Sequence, residues 1–188
     1  MQAVLTKEVV SNKAVCRVFG VIVFVLLTAL GAFVRIPLPF TPVPITLQTF
    51  FVLLSGLFLG GALGAASQLS YIFLGVLGLP LFTGTGSGLI YLFGPTAGYL
   101  IGFVFASFFI GRFIKYSRNS FFLTFLFLCA ADIILLASGV IWLKIIFGYS
   151  LTKLLLIGFI PFLPGDLLKA FLAASLYLKL KDRLKEIL

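Results

Sequence analysis

The sequence predicts an all-α, polytopic membrane protein with six transmembrane helices and both termini in the cytoplasm. Hydrophobic residues make up 62% of the 188 residues, charged residues make up 10%, and the mean hydropathy is +1.26. Soluble globular domains carry roughly 25% charged residues, so this chain lies far below that value. Apolar runs long enough to cross a bilayer recur along the chain, and basic residues flank them. We therefore expect one integral membrane domain over residues 1–188.

Six apolar runs are the predicted membrane spans. They are Val18–Val34, Leu47–Leu63, Gly64–Leu79, Gly94–Ile110, Phe121–Trp142 and Leu154–Leu180. The second and third runs meet at Gly60–Gly64, whose small residues would let the two helices pack closely. Pro95 suits the first turn of the fourth helix, where its missing N–H costs nothing. Pro161 and Pro164 are expected to break the sixth span into a lead-in and a final helix.

The basic residues are unevenly distributed between the two sides of this six-span arrangement. Ten of the 14 Lys and Arg residues fall on the side of the termini, three fall on the other side, and Lys169 lies within a span. Because cytoplasmic loops carry the excess of Lys and Arg, this count predicts that both termini are cytoplasmic. The net charge of +9 therefore reflects membrane topology rather than a nucleic-acid surface.

Two unusual loops are predicted to share the outer face. Arg35–Thr46 holds four of the eight prolines, which predicts a stiff extended segment rather than a helix or sheet strand. It would serve as a lid over a pocket or as a rigid connector. Pro80–Phe93 alternates Gly with Thr and Ser, so its backbone could approach a ligand closely, or it could be a plain flexible loop.

Asp166 and Lys169 are the most distinctive charges of the chain. Pro164 and Gly165 are expected to stop the incoming helix, which places Asp166 in the first turn of the next helix and both charges on one face. A charge pair beside a membrane core is either a functional site or an ion pair that pins two helices, and its cost alone favours neither. Asp132, which has no titratable neighbour in the sequence, is expected to make a satisfied structural contact.

Several absences from the sequence exclude classes of function. The chain has no His, no Walker motif and no nucleophile–base set, and Cys16 and Cys129 lack metal-ligand spacing. We therefore expect that the chain is not an enzyme and that it holds neither a metal ion nor a cofactor. The chain is also short for a transporter with two repeated halves. A binding subunit that takes its energy from a partner fits best; a stand-alone small-solute transporter or channel and a scaffolding protein are the alternatives.

Three segments carry a resemblance to a known family. Pro42–Thr49 (PVPITLQT), Leu92–Phe103 (LFGPTAGYLIGF) and Pro161–Lys169 (PFLPGDLLK) resemble, in matching order, the BioY family of biotin-binding S components of energy-coupling-factor (ECF) transporters. The resemblance implies a six-helix subunit of the cell membrane that captures biotin from outside. It also implies two kinds of partner, a transmembrane coupling protein and two ABC-type ATPases that use the ATP. An S component for another small vitamin is the alternative.

The resemblance implies that Asp166 and Lys169 contact biotin. Lys169 could meet either the ureido carbonyl or the carboxylate of the ligand, and the sequence leaves both open. Their position at the outer face suggests a further set of substrate-binding residues: Gln48, Thr85, Ser87, Gly88 and Tyr91.

Overall fold

The computed structural model describes residues 13–185 of the chain and the side chains of residues 13–181. Seven α-helices are found in this part of the chain: α1 (Lys13–Phe33), α2 (Gln48–Leu59), α3 (Gly61–Val76), α4 (Ala97–Phe113), α5 (Phe121–Phe147), α6 (Leu151–Gly158) and α7 (Leu163–Lys185). Short 3₁₀ turns cover Leu89–Phe93, Ile114–Ser117 and Ile160–Phe162. The prediction of an all-α protein is confirmed. The predicted cytoplasmic lead before Lys13 and the last three residues lie outside the described part.

Four segments are long and apolar enough to cross a membrane: Lys13–Phe33, Ala97–Ser117, Phe121–Phe147 and Leu151–Lys181. The other two predicted spans correspond to shorter apolar helices, α2 with 12 residues and α3 with 16. A full crossing needs about 20 helical residues. α2 is short because it starts at Gln48, directly after the proline segment, and ends at Leu59. The next residue, Gly60, has a φ of 81°, which interrupts the helix.

The helices form a bundle in which α4 packs against α2, α3 and α5. α1 covers α2 and α3, and α7 packs against α2 and α5. Close packing depends on glycines, as the sequence predicted for the turn between α2 and α3. A Cβ atom added to Gly64 would lie 2.9 Å from the Cα atom of Gly56, so a side chain there would force the two helices apart.

The proline segment forms a small hairpin whose ends are strands. β1 (Arg35–Ile36) pairs antiparallel with β2 (Ile45–Thr46), so the expectation that the segment contains no strand is wrong at its two ends. These four residues retain the N–H groups that proline lacks, and all four prolines lie between them. The base of the hairpin is fixed to α1, because the Leu47 N–H donates to the Val34 carbonyl over 3.1 Å.

The final span differs from its prediction in where it breaks. The lead-in helix α6 starts at Leu151 and ends at Gly158, so Pro164 and Gly165 do not stop it. They lie instead in the first turn of α7, where a proline replaces an N–H that has no helical acceptor. Asp166 lies in that first turn, as predicted. The Tyr99 hydroxyl donates to the Gly158 carbonyl over 2.7 Å and thereby ties the end of α6 to α4.

Candidate functional site

An ion pair within the first two turns of α7 is the centre of the site. The Lys169 Nζ atom lies 2.9 Å from Asp166 Oδ1, the spacing expected for neighbours on one helical face. Both residues are buried, with 4% of Asp166 and 9% of Lys169 exposed. α2 packs against this face of the bundle and supplies the rest of the polar surface.

Thr49, in the first turn of α2, completes a triangle with the ion pair. Its hydroxyl donates to Asp166 Oδ1 over 3.1 Å and accepts a hydrogen bond from Lys169 Nζ over 2.8 Å. The sequence analysis missed Thr49, although the residue belongs to the recognised segment Pro42–Thr49. Its side chain comes next to α7 only in the folded chain, and nothing in the sequence distinguishes it from other helical threonines.

The second carboxylate oxygen of Asp166 has no partner. Asp166 Oδ2 is buried, and no group in the described part of the chain donates a hydrogen bond to it. Lys169 is also incompletely used: its ammonium carries three N–H donors, and two hydrogen bonds from it are present. A buried carboxylate oxygen without a donor costs roughly 1–3 kcal/mol or more, so these two groups together offer an acceptor and a donor to a bound molecule.

Gln48 lies beside Thr49 and forms hydrogen bonds with the proline hairpin, with α3 and with the loop between α3 and α4. Its Nε2 donates to the Tyr71 hydroxyl over 2.7 Å, and its Oε1 accepts hydrogen bonds from Thr46 and Thr83, each over 3.2 Å. The bond to Tyr71 joins α2 to α3. Gln48, Thr49, Thr83, Asp166 and Lys169 are called the cavity cluster below.

Tyr91 forms part of the cover of the site. Its ring stacks on Phe82 with centroids 4.6 Å apart, and its hydroxyl donates to the Thr83 carbonyl over 3.3 Å. Phe82 is buried and packs in the core, and it anchors one end of the segment Pro80–Phe93, called the glycine-rich loop below. On the opposite side, Val43 and Pro44 of the hairpin complete the cover.

The cavity cluster encloses a cavity of about 40 Å³. Aliphatic and aromatic side chains of α4, α5 and the turn before α7 supply its apolar walls: Tyr99, Leu100, Phe103, Leu135, Leu136 and Phe162. A wider depression of about 450 Å³ shares Pro44, Thr83, Tyr91 and Thr96 with this cavity and includes Arg35 in its lining. The shared residues come from the hairpin, the glycine-rich loop and the start of α4, and they lie between the cavity and this depression.

The structure brings together four of the seven residues predicted to bind substrate. Asp166, Lys169, Gln48 and Tyr91 line the cavity. The other three, in the glycine-rich loop, do not: Thr85 is exposed and bonds to the Gly84 carbonyl, Ser87 is half-buried outside the lining, and the Gly88 N–H donates to the Gly75 carbonyl. Their role in binding stays a prediction.

Asp132 corrects a further expectation. It is buried in α5, and its Oδ1 atom has no hydrogen-bond partner in the described part of the chain, so it does not make the satisfied contact that was expected. Its carboxyl group interacts electrostatically with Asp166 and Lys169. The neighbours that the sequence lacked are supplied by packing of α5 on α7.

The fold and the site define a membrane-embedded solute-binding protein, with a small cavity that contains a buried ion pair at one end of a helical bundle. The chain matches the sequence profile of the BioY family over residues 6–186, and it belongs to this family.

Known proteins similar to the chain agree with this assignment. The biotin transporter BioY of Thermotoga maritima is 39% identical over 169 residues, which are 85% of this chain and 92% of that protein. The probable biotin transporter BioY of Pyrococcus horikoshii is 39% identical over 150 residues, covering 80% and 86% of the two chains. The 2.1 Å crystal structure of the S-component for biotin from an ECF-type ABC transporter superposes with a TM-score of 0.84 at 29% identity, covering 91% of this chain and 93% of that one.

Proposed function

We propose that the chain is a biotin-binding S component and that the cavity cluster holds the ureido ring of biotin. The observation that carries this proposal is the buried Asp166 Oδ2 atom, which has no donor in the described structure and belongs to a side chain that lines the cavity. A ureido group offers an N–H donor beside a carbonyl acceptor. Asp166 Oδ2 and the third N–H of Lys169 present the complementary pair, and charge-assisted hydrogen bonds of this kind are strong.

The apolar walls and the outer depression fit the remainder of the ligand. Phe103 and Phe162 would pack against the sulfur-containing ring. The aliphatic tail would point toward the depression that Arg35 lines, and the Arg35 guanidinium would meet the carboxylate. In this arrangement Lys169 contacts the ureido carbonyl, since its ammonium is buried at the inner end.

Binding requires the cover to open. A cavity of about 40 Å³ is much smaller than the roughly 300–1,000 Å³ of small-molecule sites. The hydrogen bonds from Thr83 to Gln48 and from Tyr91 to Thr83 join the glycine-rich loop to the cluster. Displacement of this loop or of the hairpin would merge the cavity with the outer depression and admit the ligand.

Calorimetric titration of the purified chain with biotin and with lipoate tests the proposal. Lipoate has a sulfur-containing ring and the same acid tail as biotin but no ureido group, which makes it a matched control. We expect saturable binding of biotin with one site per chain and binding of lipoate at least about 100-fold weaker, as the loss of two charge-assisted hydrogen bonds predicts. Absence of biotin binding by the folded protein, or equal binding of both ligands, would contradict the proposal.

We further propose the full S-component arrangement: six membrane spans, cytoplasmic termini, a site open to the outside and coupling to a transmembrane protein with two ABC-type ATPases. The distribution of Lys and Arg supports the orientation. In a cysteine-free variant, Thr85→Cys should react with an impermeant maleimide added outside intact cells, whereas Asn119→Cys should react only after permeabilisation. Biotin uptake should require all three partner subunits.

A further inference from the structure

A groove with a larger volume than the cavity lies at the other end of the bundle. Its volume is about 700 Å³, and it is lined by the turn between α2 and α3 together with parts of α1 and α7: Arg17, Leu57, Phe58, Leu59, Gly60, Gly61, Ala62, Leu63, Tyr177 and Lys181. α2 starts at the cavity cluster and ends here, and its 12 residues span about 18 Å. Along α7, the distance from Asp166 to Lys181 is about 22 Å. The cavity and the groove therefore occupy opposite ends of the bundle.

Lys181 is the feature of this groove that packing does not explain. Only 9% of the residue is exposed, yet its ammonium forms no hydrogen bond or ion pair with any described group. The two acidic side chains that the structure describes, Asp132 and Asp166, interact with Lys169 at the other end. An ammonium taken out of water without a counter-charge is unfavourable, so a bound anion would stabilise it.

Two further positive groups face the same groove. Arg17 of α1 carries a second full charge and forms no ion pair within the described residues. The N-terminus of α3 supplies the third, because Gly61, Ala62 and Leu63 begin the helix and their N–H groups have no helical acceptor. The residue before them, Gly60, has no side chain that could cap them. The partial positive charge of this helix start and the partial negative charge of the end of α2 both face the groove, so the full charges of Lys181 and Arg17 dominate the attraction for an anion.

The groove also has an apolar wall, which indicates what kind of anion fits. Phe58 packs on Tyr177, with ring centroids 5.6 Å apart, and Leu57, Leu59 and Leu63 extend this wall. A groove of about 700 Å³ is far larger than a free phosphate needs. A phospholipid presents a phosphate for the cationic groups and hydrocarbon for the wall.

The level of the groove in the membrane agrees with a lipid. Arg17 immediately precedes the apolar part of α1, and Lys181 lies near the last turn of α7. Charged residues at the ends of two spans lie at the depth of lipid headgroups, and a tyrosine such as Tyr177 is typical of that interface. Basic pockets between helices on the cytoplasmic side bind anionic headgroups, and the distribution of Lys and Arg predicts the cytoplasm for this end.

We propose that this groove binds the headgroup of an anionic phospholipid, with Lys181, Arg17 and the N-terminus of α3 around the phosphate and the Phe58–Tyr177 wall along the first part of an acyl chain. The site is separate from the biotin cavity, so this proposal stands or falls independently of biotin binding.

Native mass spectrometry of the full chain with added phosphatidylglycerol or phosphatidylcholine tests the proposal. We expect phosphatidylglycerol to be retained at least about tenfold more tightly, a difference of about 1.4 kcal/mol. Lys181→Gln and Arg17→Gln should each reduce that preference at least threefold. Lys179→Gln, an exposed lysine on the same helix, should leave it unchanged. Circular dichroism and an unchanged thermal melt would show that each variant is folded.

Three results would overturn the proposal. One is equal retention of the two lipids by the wild-type chain. Another is an effect of Lys179→Gln as large as that of Lys181→Gln. The third concerns the source of the phosphate: if 10–50 mM inorganic phosphate, roughly the range that a weak anion site needs, displaces phosphatidylglycerol, the site accepts a soluble anion rather than a lipid.

Discussion

Two clusters of buried polar side chains contribute to the same helical bundle, and they differ in whether their hydrogen bonds are complete. The cavity cluster connects α2 and α7 with the glycine-rich loop. A second group, called the bundle cluster, connects α1, α2, α3 and α4, and its members are all fully buried: Thr28, Ser55, Ser67, Gln68 and Ser107.

In the bundle cluster every buried side-chain nitrogen and oxygen atom has a polar partner within 3.5 Å. Gln68 Nε2 donates to the hydroxyls of Ser55 and Ser67, each over 3.1 Å, and Thr28 and Ser55 donate to backbone carbonyls of their own helices over 2.7 Å. Ser55 and Ser107 share a further bond of 2.8 Å between helices. The weakest of these contacts is at Gln68 Oε1, which lies 3.5 Å from the Thr28 hydroxyl, whose single hydrogen also serves the Phe24 carbonyl.

The difference between the clusters distinguishes a structural contact from a binding site better than burial or polarity does. Both clusters are buried and polar, but in the cavity cluster Asp166, a residue that lines a cavity, has a carboxylate oxygen without a donor. A polar group buried in a membrane protein is normally satisfied by its neighbours, so an unsatisfied one beside a cavity indicates a partner that is not part of the chain.

The largest expected effect is at the ion pair. Lys169→Met keeps much of the length of the side chain but removes the ammonium, which leaves the Asp166 carboxylate buried without its counter-charge. We expect biotin affinity to fall by about 100-fold or more, as for truncation of one partner of a buried charge pair. Calorimetry measures the biotin affinity, and Lys179→Met, at an exposed position on the same helix, is the control variant. Unchanged affinity in Lys169→Met would remove the ion pair from the site.

A matched pair of threonines compares the two clusters directly. Thr49→Val and Thr28→Val remove the same hydroxyl from the cavity cluster and from the bundle cluster. Thr49→Val should weaken biotin binding by about 5- to 30-fold, because the hydroxyl orients both charges of the ion pair and each such bond contributes roughly 1–2 kcal/mol. Thr28→Val should change the biotin dissociation constant less than about twofold. Equal effects of the two substitutions would show that the clusters do not differ as described.

Substitutions of two threonines in the glycine-rich loop are expected to have a smaller effect on biotin affinity. Thr83 lines the cavity, whereas Thr85 is exposed. We expect Thr83→Val to weaken biotin binding by about 3- to 10-fold, because the neutral hydrogen bond from Thr83 to Gln48 would hold the loop over the bound ligand, and Thr85→Ala to change it less than about twofold. A competition assay with labelled biotin resolves factors of this size. A larger loss in Thr85→Ala would show that the loop folds onto the ligand and would support the prediction made from the sequence.

The smallest effect on affinity is expected in the bundle cluster. Gln68→Leu conserves side-chain size but removes the amide that connects Thr28, Ser55 and Ser67. The free energy of unfolding should fall by about 1–3 kcal/mol, while the biotin dissociation constant stays within about twofold. A thermal melt in detergent and a biotin titration measure the two quantities. Loss of affinity at full stability would contradict a structural role.

The sequence predicts much of the fold because the relevant signals are local. Apolar runs, the distribution of Lys and Arg and the prolines locate the helices, and Asp166 in the first turn of its helix follows from Pro164 and Gly165. The strands β1 and β2 could not be predicted in this way, because two residues on each side form pairs only after the proline segment folds back on itself.

The sequence predicts the site residues that carry an unusual charge, but not the residues that helix packing brings to the site. Asp166 and Lys169 are conspicuous because charges inside a membrane span are rare. Thr49 reaches the site, and Asp132 comes near its two charges, only through the packing of α2 and α5 on α7, which no sequence spacing records. Thr83 and Thr85 differ by two positions in one loop, and only the fold separates the lining residue from the exposed one.

The central claim is that the unpartnered Asp166 oxygen marks the biotin site, and Asp166→Asn tests it most directly. The substitution keeps the shape of the side chain but replaces a carboxylate acceptor with an amide. Biotin affinity, measured by calorimetry, should fall by about 30- to 1,000-fold, corresponding to roughly 2–4 kcal/mol, while circular dichroism shows a folded helical protein. Biotin binding to folded Asp166→Asn with the wild-type dissociation constant would contradict the account.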